Sequence, residues 1–246
     1  MTLEAHAKIN WTLEVLGDRP DGYHDLRSIV LPIPLHDVVT LDETDDIVCE
    51  MSALEVPMEG NLAYRAAVAL REVAGVARGV RIVIEKRIPA GAGLGGGSAD
   101  AAAVLNGLNR LWGLHLPEAE LCAIAARVGS DVPALTLNGP VLMEGRGERV
   151  SRLTTRQLAD LPHMDDIVVF TPGIFSATSA VYRAFREADR GRGPNDLQPA
   201  AIRLYPGIGE AICRLERQGL RRVTMSGSGS AIYGVRKMLE SGGGSV

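Results

Sequence analysis

From residue 3 to residue 15 apolar and polar side chains alternate without a break. Leu3, Ala5, Ala7, Ile9, Trp11, Leu13 and Val15 fall on one face; Glu4, His6, Lys8, Asn10, Thr12 and Glu14 fall on the other. A period of two is that of a half-buried antiparallel strand, so the spacing predicts a strand over 3–15 with Lys8 and Asn10 on the face away from the core. Residues 18–22 carry the Pro, Asp and Gly of a turn, and Tyr23-His24 opens the return. Residues 28–35 are apolar but hold Pro32 and Pro34, which lack the amide hydrogen a ladder needs, so an edge or irregular strand is expected. The apolar runs 38–41 and 47–51 flank an acidic stretch and read as a hairpin.

The period then changes to that of a helix. Leu62, Ala66, Leu70 and Val73 share one helical face, with Asn61 as cap and Gly75 as stop. A strand over 80–85 leads into residues 89–100, where five glycines lie between Gly91 and Gly97. Directly behind them Ala101, Val104, Leu105, Leu108 and Leu111 recur at helical spacing, with Ser98 as the predicted N-cap and Gly113 as the stop. Another helix is predicted from Pro117 to Gly129, with Leu121, Ile124, Ala125 and Val128 on its face. Asp131 then reads as a cap or turn residue, and 135–144 as strand, turn and strand around Asn138-Gly139.

The mixed polar stretch 151–163 marks the expected boundary between two domains, 1–152 and 153–246. In the second, a strand over 167–171 and helices over 179–188 and 207–217 are expected, with a mobile loop at 190–194. Two apolar runs, 223–225 and 231–235, flank a serine–glycine loop, and the tail 241–245 is linker-like.

Composition narrows the function. At 46% hydrophobic and 23% charged over 246 residues, the chain has the balance of an ordinary soluble protein. A net charge of −4 gives no general attraction to nucleic acid or to a membrane surface. No apolar run is long enough to span a bilayer, and residues 1–4 show no signal peptide. Cys49, Cys122 and Cys213 stand far apart, as expected of reduced thiols in a cytoplasmic protein.

The glycine run is the chief candidate for chemistry. A loop without side chains that feeds a helix N-terminus presents free N–H groups and a positive dipole end, which suits a phosphate. Walker A chemistry is excluded, because no lysine lies between Gly91 and Ser98. Gly91, Gly93 and Gly96 fit the dinucleotide spacing. However, the preceding strand carries Arg81 and Glu85 on one face, whereas a Rossmann first strand is apolar on both.

Three segments, Ala7-Lys8-Ile9-Asn10, the stretch 89–103 and 225–230, resemble in this order the three motifs of the GHMP kinases. Within them the resemblance is nearest to the 4-diphosphocytidyl-2-C-methyl-D-erythritol kinases. Arg19-Pro20-Asp21-Gly22-Tyr23-His24, Asn61-Leu62, Gly129-Ser130-Asp131-Val132-Pro133, Glu144-Gly145-Arg146-Gly147-Glu148 and Asn195-Asp196-Leu197 extend it over residues 5–235.

The resemblance implies a two-domain α+β fold, the first domain ribosomal-S5-domain-2-like and the second ferredoxin-like, with the active site in the cleft between them. It implies ATP and Mg²⁺ as cofactors and cytidine diphosphate methylerythritol as the small-molecule substrate. Lys8 and Asp131 become the catalytic pair. ATP falls to Asn61 and to Pro89, Ala90, Gly91, Ala92, Gly93, Leu94, Gly95, Gly96, Gly97, Ser98 and Ala99. The substrate falls to Asn10, Tyr23, His24, Ser226 and Gly227. The ligands of Mg²⁺ and the oligomeric state are not read from the sequence. Family members continue past the third motif with a further helix and strand, whereas eleven residues follow Val235 here, so a shortened second domain is expected. The alternatives are another GHMP kinase for a small alcohol, and a GHMP fold that binds without catalysis.

Overall fold

The computed structural model describes residues 1–52 and 57–236. In chain order the elements are β1 (Thr2–Asn10), β2 (Glu14–Asp18), β3 (His24–Thr44), β4 (Ile47–Met51), α1 (Leu62–Ala74), β5 (Gly79–Glu85), α2 (Gly96–Leu111), α3 (Glu118–Val128), α4 (Val132–Thr136), β6 (Val141–Gly145) and β7 (Arg149–Arg152). They continue with α5 (Thr155–Ala159), β8 (Ile167–Phe170), α6 (Thr178–Ala184), α7 (Gln198–Leu204), α8 (Pro206–Arg217), β9 (Arg221–Met225) and β10 (Ile232–Val235). The class is α+β, as expected.

A seven-stranded sheet is built on β3, which pairs with β1 and β2 along one edge and with β5 and β6 along the other. The first expected strand is two. Ile29 donates its N–H to Thr12 Oγ1 at 3.0 Å and Leu13 N–H turns to Pro194 O at 2.7 Å, so a side chain and a distant loop replace the ladder there. The apolar face survives the break, with every member from Ala5 to Val15 buried. Pro32 and Pro34 sit inside a long central strand, not at an edge. They are tolerated because 31–37 is the gap between the partners β6 and β5, where no ladder hydrogen is required.

The expected hairpin of 38–41 with 47–51 does not form. Instead β5, its Val80, Ile82 and Ile84 fully buried, takes the central place, antiparallel to β3 and parallel to β4. Residues 135–144 also depart from expectation. Pro133 starts α4, whose Thr136 hydroxyl donates to Val132 O at 2.8 Å, and Asn138-Gly139 joins that helix to β6. Ser98 is not the N-cap of α2. Gly95, at φ 71°, makes the turn, and Ala99 N–H closes on Gly95 O at 2.8 Å, which places Ser98 in the first turn. The α1 cap is as expected, with Asn61 Oδ1 accepting from Ala63 N–H at 2.9 Å.

The second sheet has the order β8-β10-β9, and α6, α7 and α8 pack on it. The helix expected over 179–188 ends at Ala184. The loop 190–194, expected to be mobile, is tied down by Arg190 Nη1 to Leu16 O at 2.6 Å, Gly191 N–H to Asp196 Oδ1 at 2.7 Å, and Pro194 O to Leu13. Side chains cross between the units: Tyr233 and Ala231 join the core under the large sheet, and Leu13, Val15 and Leu26 join the core of the small one. The expected shortening falls on residues 237–246, and the linker-like tail lies within them, outside the described residues.

Candidate active site

Between the glycine loop and the loop after β9 lies a cleft of about 1250 Å³. The loop 89–95 reaches it from β5 because its carbonyls are held from behind. Ala92 O accepts from Ala231 N–H at 2.9 Å, Gly93 O from Ser226 Oγ at 3.0 Å, and Leu94 O from Lys8 N–H at 2.9 Å. Oxygens that would repel a phosphate are thereby occupied. The amides of Gly96, Gly97 and Ser98, in the first turn of α2, have no helical acceptor.

At two of the glycines the backbone angle favours glycine, and a side chain would also press on a neighbour. A Cβ on Gly93, at φ +75°, would lie 2.5 Å from Ser226 O, and one on Gly95, at φ +71°, would lie 3.1 Å from Lys8 Cγ and Cε. A Cβ on Gly97 would make only ordinary contact, 3.6 Å from Leu62 Cδ1, so packing does not demand glycine there. Residues 89–98 all line the cleft; Ala99 does not, being buried behind the loop.

Lys8 and Asn10 do not face solvent as a polar strand face would. They are 3% and 2% exposed, because the loop after β9 closes over them. Lys8 Nζ donates to Asn10 Oδ1 at 2.6 Å and lies 3.3 Å from Asp131 Oδ2. Asn10 Nδ2 donates to Ser28 Oγ at 2.8 Å, and Ser28 Oγ to Thr12 O at 2.5 Å, which fixes the amide so that its oxygen faces the ammonium. Asp131 occupies the N-cap position of α4 but makes no capping bond, so its carboxylate is free for Lys8 and, at 31% side-chain exposure, for a ligand. A buried ammonium is stable only with such partners. Tyr182 of α6 lines the same wall. Burial, with the charge of Asp131 adding, raises its phenol well above the usual range, so it stays a proton donor.

Tyr23 and His24 stand at the cleft mouth. The Tyr23 ring is half-exposed beneath the Arg146 guanidinium, 3.9 Å from the centroid. His24 lies 5.2 Å from the Tyr182 ring and 6.2 Å from that of Phe185, its Nε2 3.4 Å from Asp18 Oδ1. Gly227 lines the cleft, but Ser226 is a correction. It is fully buried, accepting from Asn10 N–H at 3.1 Å while donating to Gly93 O, and is therefore a staple between the two loops. Asn195 supports that loop from beneath, its Nδ2 donating to Met225 O at 2.7 Å and Gly227 O at 2.8 Å. Asn61 lines the cleft while capping α1.

Sequence reading missed a buried ionic cluster at the base of the loop. Lys86 Nζ bonds Asp37 Oδ2, and Asp100 Oδ2 at 2.7 Å, while Asp37 Oδ1 accepts from the Arg87 and Ile88 amides. Both ends of the glycine loop are thus tied to β3. The signal available was an aspartate among the small buried residues Ala99, Ala101 and Ala102 of α2. Two carboxylates share one ammonium, and Asp100 Oδ1 has no hydrogen-bond partner. Burial and the charge of Asp37 push the Asp100 carboxyl up to about 7, against the pull of Lys86.

A carboxyl raised in the folded state holds its proton where the unfolded chain has lost it. Stability from Asp100 is therefore greatest near pH 4 and falls as pH rises towards 7. The Tm of Asp100→Asn minus that of the wild type is expected to grow between pH 5 and 7.5, read from melting curves; a constant difference contradicts the assignment.

Residues 61–139 match the family described as GHMP kinases N terminal domain, and 177–237 match GHMP kinases C terminal. The 4-diphosphocytidyl-2-C-methyl-D-erythritol kinase of Symbiobacterium thermophilum is 42% identical over 99% of this chain and 93% of its own. That of Moorella thermoacetica is 40% identical over 96% of this chain and 90% of its own. A crystal structure of 4-(cytidine 5'-diphospho)-2C-methyl-D-erythritol kinase is 39% identical and superposes with a TM-score of 0.79, covering 96% of this chain and 90% of that one. A mevalonate kinase, at 11% identity and TM-score 0.65 over 96% of this chain and 91% of its own, shares the fold.

Proposed function

The chain belongs to the GHMP kinases, within them to the 4-diphosphocytidyl-2-C-methyl-D-erythritol kinases, and from that premise we propose that it moves the γ-phosphoryl of ATP to the 2-hydroxyl of 4-diphosphocytidyl-2-C-methyl-D-erythritol. The observation that carries this reading is the buried Lys8 facing Asp131 on the wall of the cleft that the glycine loop also lines. Phosphoryl transfer asks for positioning and charge stabilisation more than for covalent chemistry. Asp131 accepts or orients the substrate hydroxyl proton, Lys8 pairs with Asp131 and favours the developing alkoxide, and Asn10 aims Lys8. The amides of Gly96, Gly97 and Ser98 receive phosphate oxygens.

Mg²⁺ fits the same wall. It takes most of its shell from phosphates and water and asks one or two carboxylates of the protein. Asp100 is engaged by Lys86, so Asp131, with Lys8 as its partner and a third of its side chain exposed, is the cleft carboxylate that would meet it. The ion would neutralise charge on the phosphates. The division at residue 152 is supported by the two sheets, formed by segments before and after 153–166. Cytoplasmic location is supported by the three free thiols. Among the described residues no helix is long and apolar enough to cross a membrane.

The cytidyl end of the substrate falls to Tyr23 and His24. A half-exposed phenol held by Arg146 offers a flat face, and an imidazole at the cleft mouth can donate and accept. His24→Ala is expected to raise KM for the cytidyl substrate about tenfold, the loss of roughly one hydrogen bond, with KM for ATP unchanged. The test is a coupled assay of both proteins with the cytidyl substrate and with bare methylerythritol phosphate. Equal use of the two alcohols would favour a kinase for small alcohols, and no turnover of either a fold that only binds.

A further inference from the structure

Outside the cleft, the strand pairing sets His6 of β1 directly opposite His36 of β3, with Glu4 one alternation earlier on the same face as His6. We propose that Glu4, His6 and His36 form a binding site for one Zn²⁺ ion.

His6 Nδ1 lies 3.1 Å from Ile33 O, and His36 Nδ1 lies 2.8 Å from Pro34 O. A carbonyl oxygen can only accept, so each Nδ1 carries the hydrogen and each neutral ring keeps its lone pair on Nε2. That is the arrangement that orients and strengthens an imidazole as a ligand. Both Nε2 atoms face the Glu4 carboxylate, His6 Nε2 at 3.2 Å from Oε2 and His36 Nε2 at 3.8 Å from Oε1. One ligand atom from each residue lies within 4.8 Å of the others. Bonds of about 2.0–2.1 Å in a tetrahedral shell separate ligand atoms by roughly 3.3 Å. The site is therefore nearly closed in the folded chain.

The two rings pack edge to face with centroids 5.3 Å apart, so the backbone register holds them; Glu4, with 61% of its side chain exposed, supplies the adjustable arm. Two imidazoles and one carboxylate select Zn²⁺ over Mg²⁺ and Ca²⁺, which prefer all-oxygen shells. Three protein ligands leave the fourth position to water. The ion would staple β1 to β3 just ahead of the register shift that separates His6 from Lys8.

The test is calorimetric titration of the full chain with ZnCl2 and separately with MgCl2, beside melting curves with and without each ion. Wild type is expected to bind one equivalent of Zn²⁺ in the micromolar range or tighter, and to melt several degrees higher with it. Mg²⁺ is expected to give neither effect in the absence of nucleotide. His36→Gln and Glu4→Gln are each expected to weaken Zn²⁺ at least about tenfold, since even the outer-shell partners of metal ligands are worth that much. Their metal-free melting curves and their turnover with Mg²⁺ and ATP are expected to match the wild type, so that a lost fold or a failed kinase reading is told apart from a lost metal site. Zn²⁺ affinity that is equal in both variants and wild type, or no stoichiometric binding in wild type, overturns the proposal.

Discussion

Asp131→Asn and Lys8→Ala are each expected to lower kcat about 10²–10⁴-fold while ATP affinity changes little, the loss typical of removing an acid–base or electrostatic group. The geometry explains why the effects should be similar in size. Lys8 Nζ is held 2.6 Å from Asn10 Oδ1 and 3.3 Å from Asp131 Oδ2, so the three groups act as one unit. An asparagine at 131 still accepts from Lys8 but neither takes a proton nor balances the ammonium. An alanine at 8 leaves Asp131 without its cationic partner and leaves the Asn10 oxygen unpartnered. Each variant also disturbs a largely buried ion pair, so some loss of stability is expected with the loss of rate. Lys8→Met, which keeps the length of the side chain, separates the two by retaining packing without charge. Steady-state rates, titration with a nonhydrolysable ATP analogue and melting curves decide the matter. Near-wild-type turnover of either variant by a folded protein would sink the catalytic assignment.

The second large effect is expected at Gly95. Gly95→Val should abolish measurable ATP binding and, with it, turnover. The residue is the turn from the loop into α2 and holds φ +71°, a conformation that a β-branched side chain strongly resists. Its Cβ would also press on Lys8 Cγ and Cε at 3.1 Å, so either the loop or the lysine must shift. Gly97→Ala provides the contrast. Its Cβ meets only Leu62 at 3.6 Å, so the fold should tolerate it. Any affinity lost in that variant then reports on the ligand surface itself. Calorimetry with the analogue, beside a melting curve for each variant, is the measurement. Retained affinity in a folded Gly95→Val would make the loop a structural turn and remove it from the phosphate site.

The chain by itself determined what local torsion and periodicity can express. The alternation over 3–15 placed Lys8 and Asn10 on one face, Asn61 and Gly75 bounded α1, and the glycines in front of an amphipathic run announced a helix N-terminus built to receive an anion. What each face meets was decided only in three dimensions. Lys8 and Asn10 read as a solvated strand face because the loop that buries them lies more than two hundred residues away, and Asn10 N–H meets Ser226 Oγ across 216 positions. Ser226 read as a ligand-binding residue for the same reason, since the backbone it staples is 133 positions distant. Pro32 and Pro34 argued for an edge strand, and only the gap between β5 and β6 shows how a central strand accommodates them. The cluster of Asp37, Lys86 and Asp100 joins β3, the end of β5 and α2, and no spacing along the chain brings those three charges together. A residue's own pattern fixes the direction in which it points; its desolvation and its hydrogen-bond partners are properties of whatever folds against it.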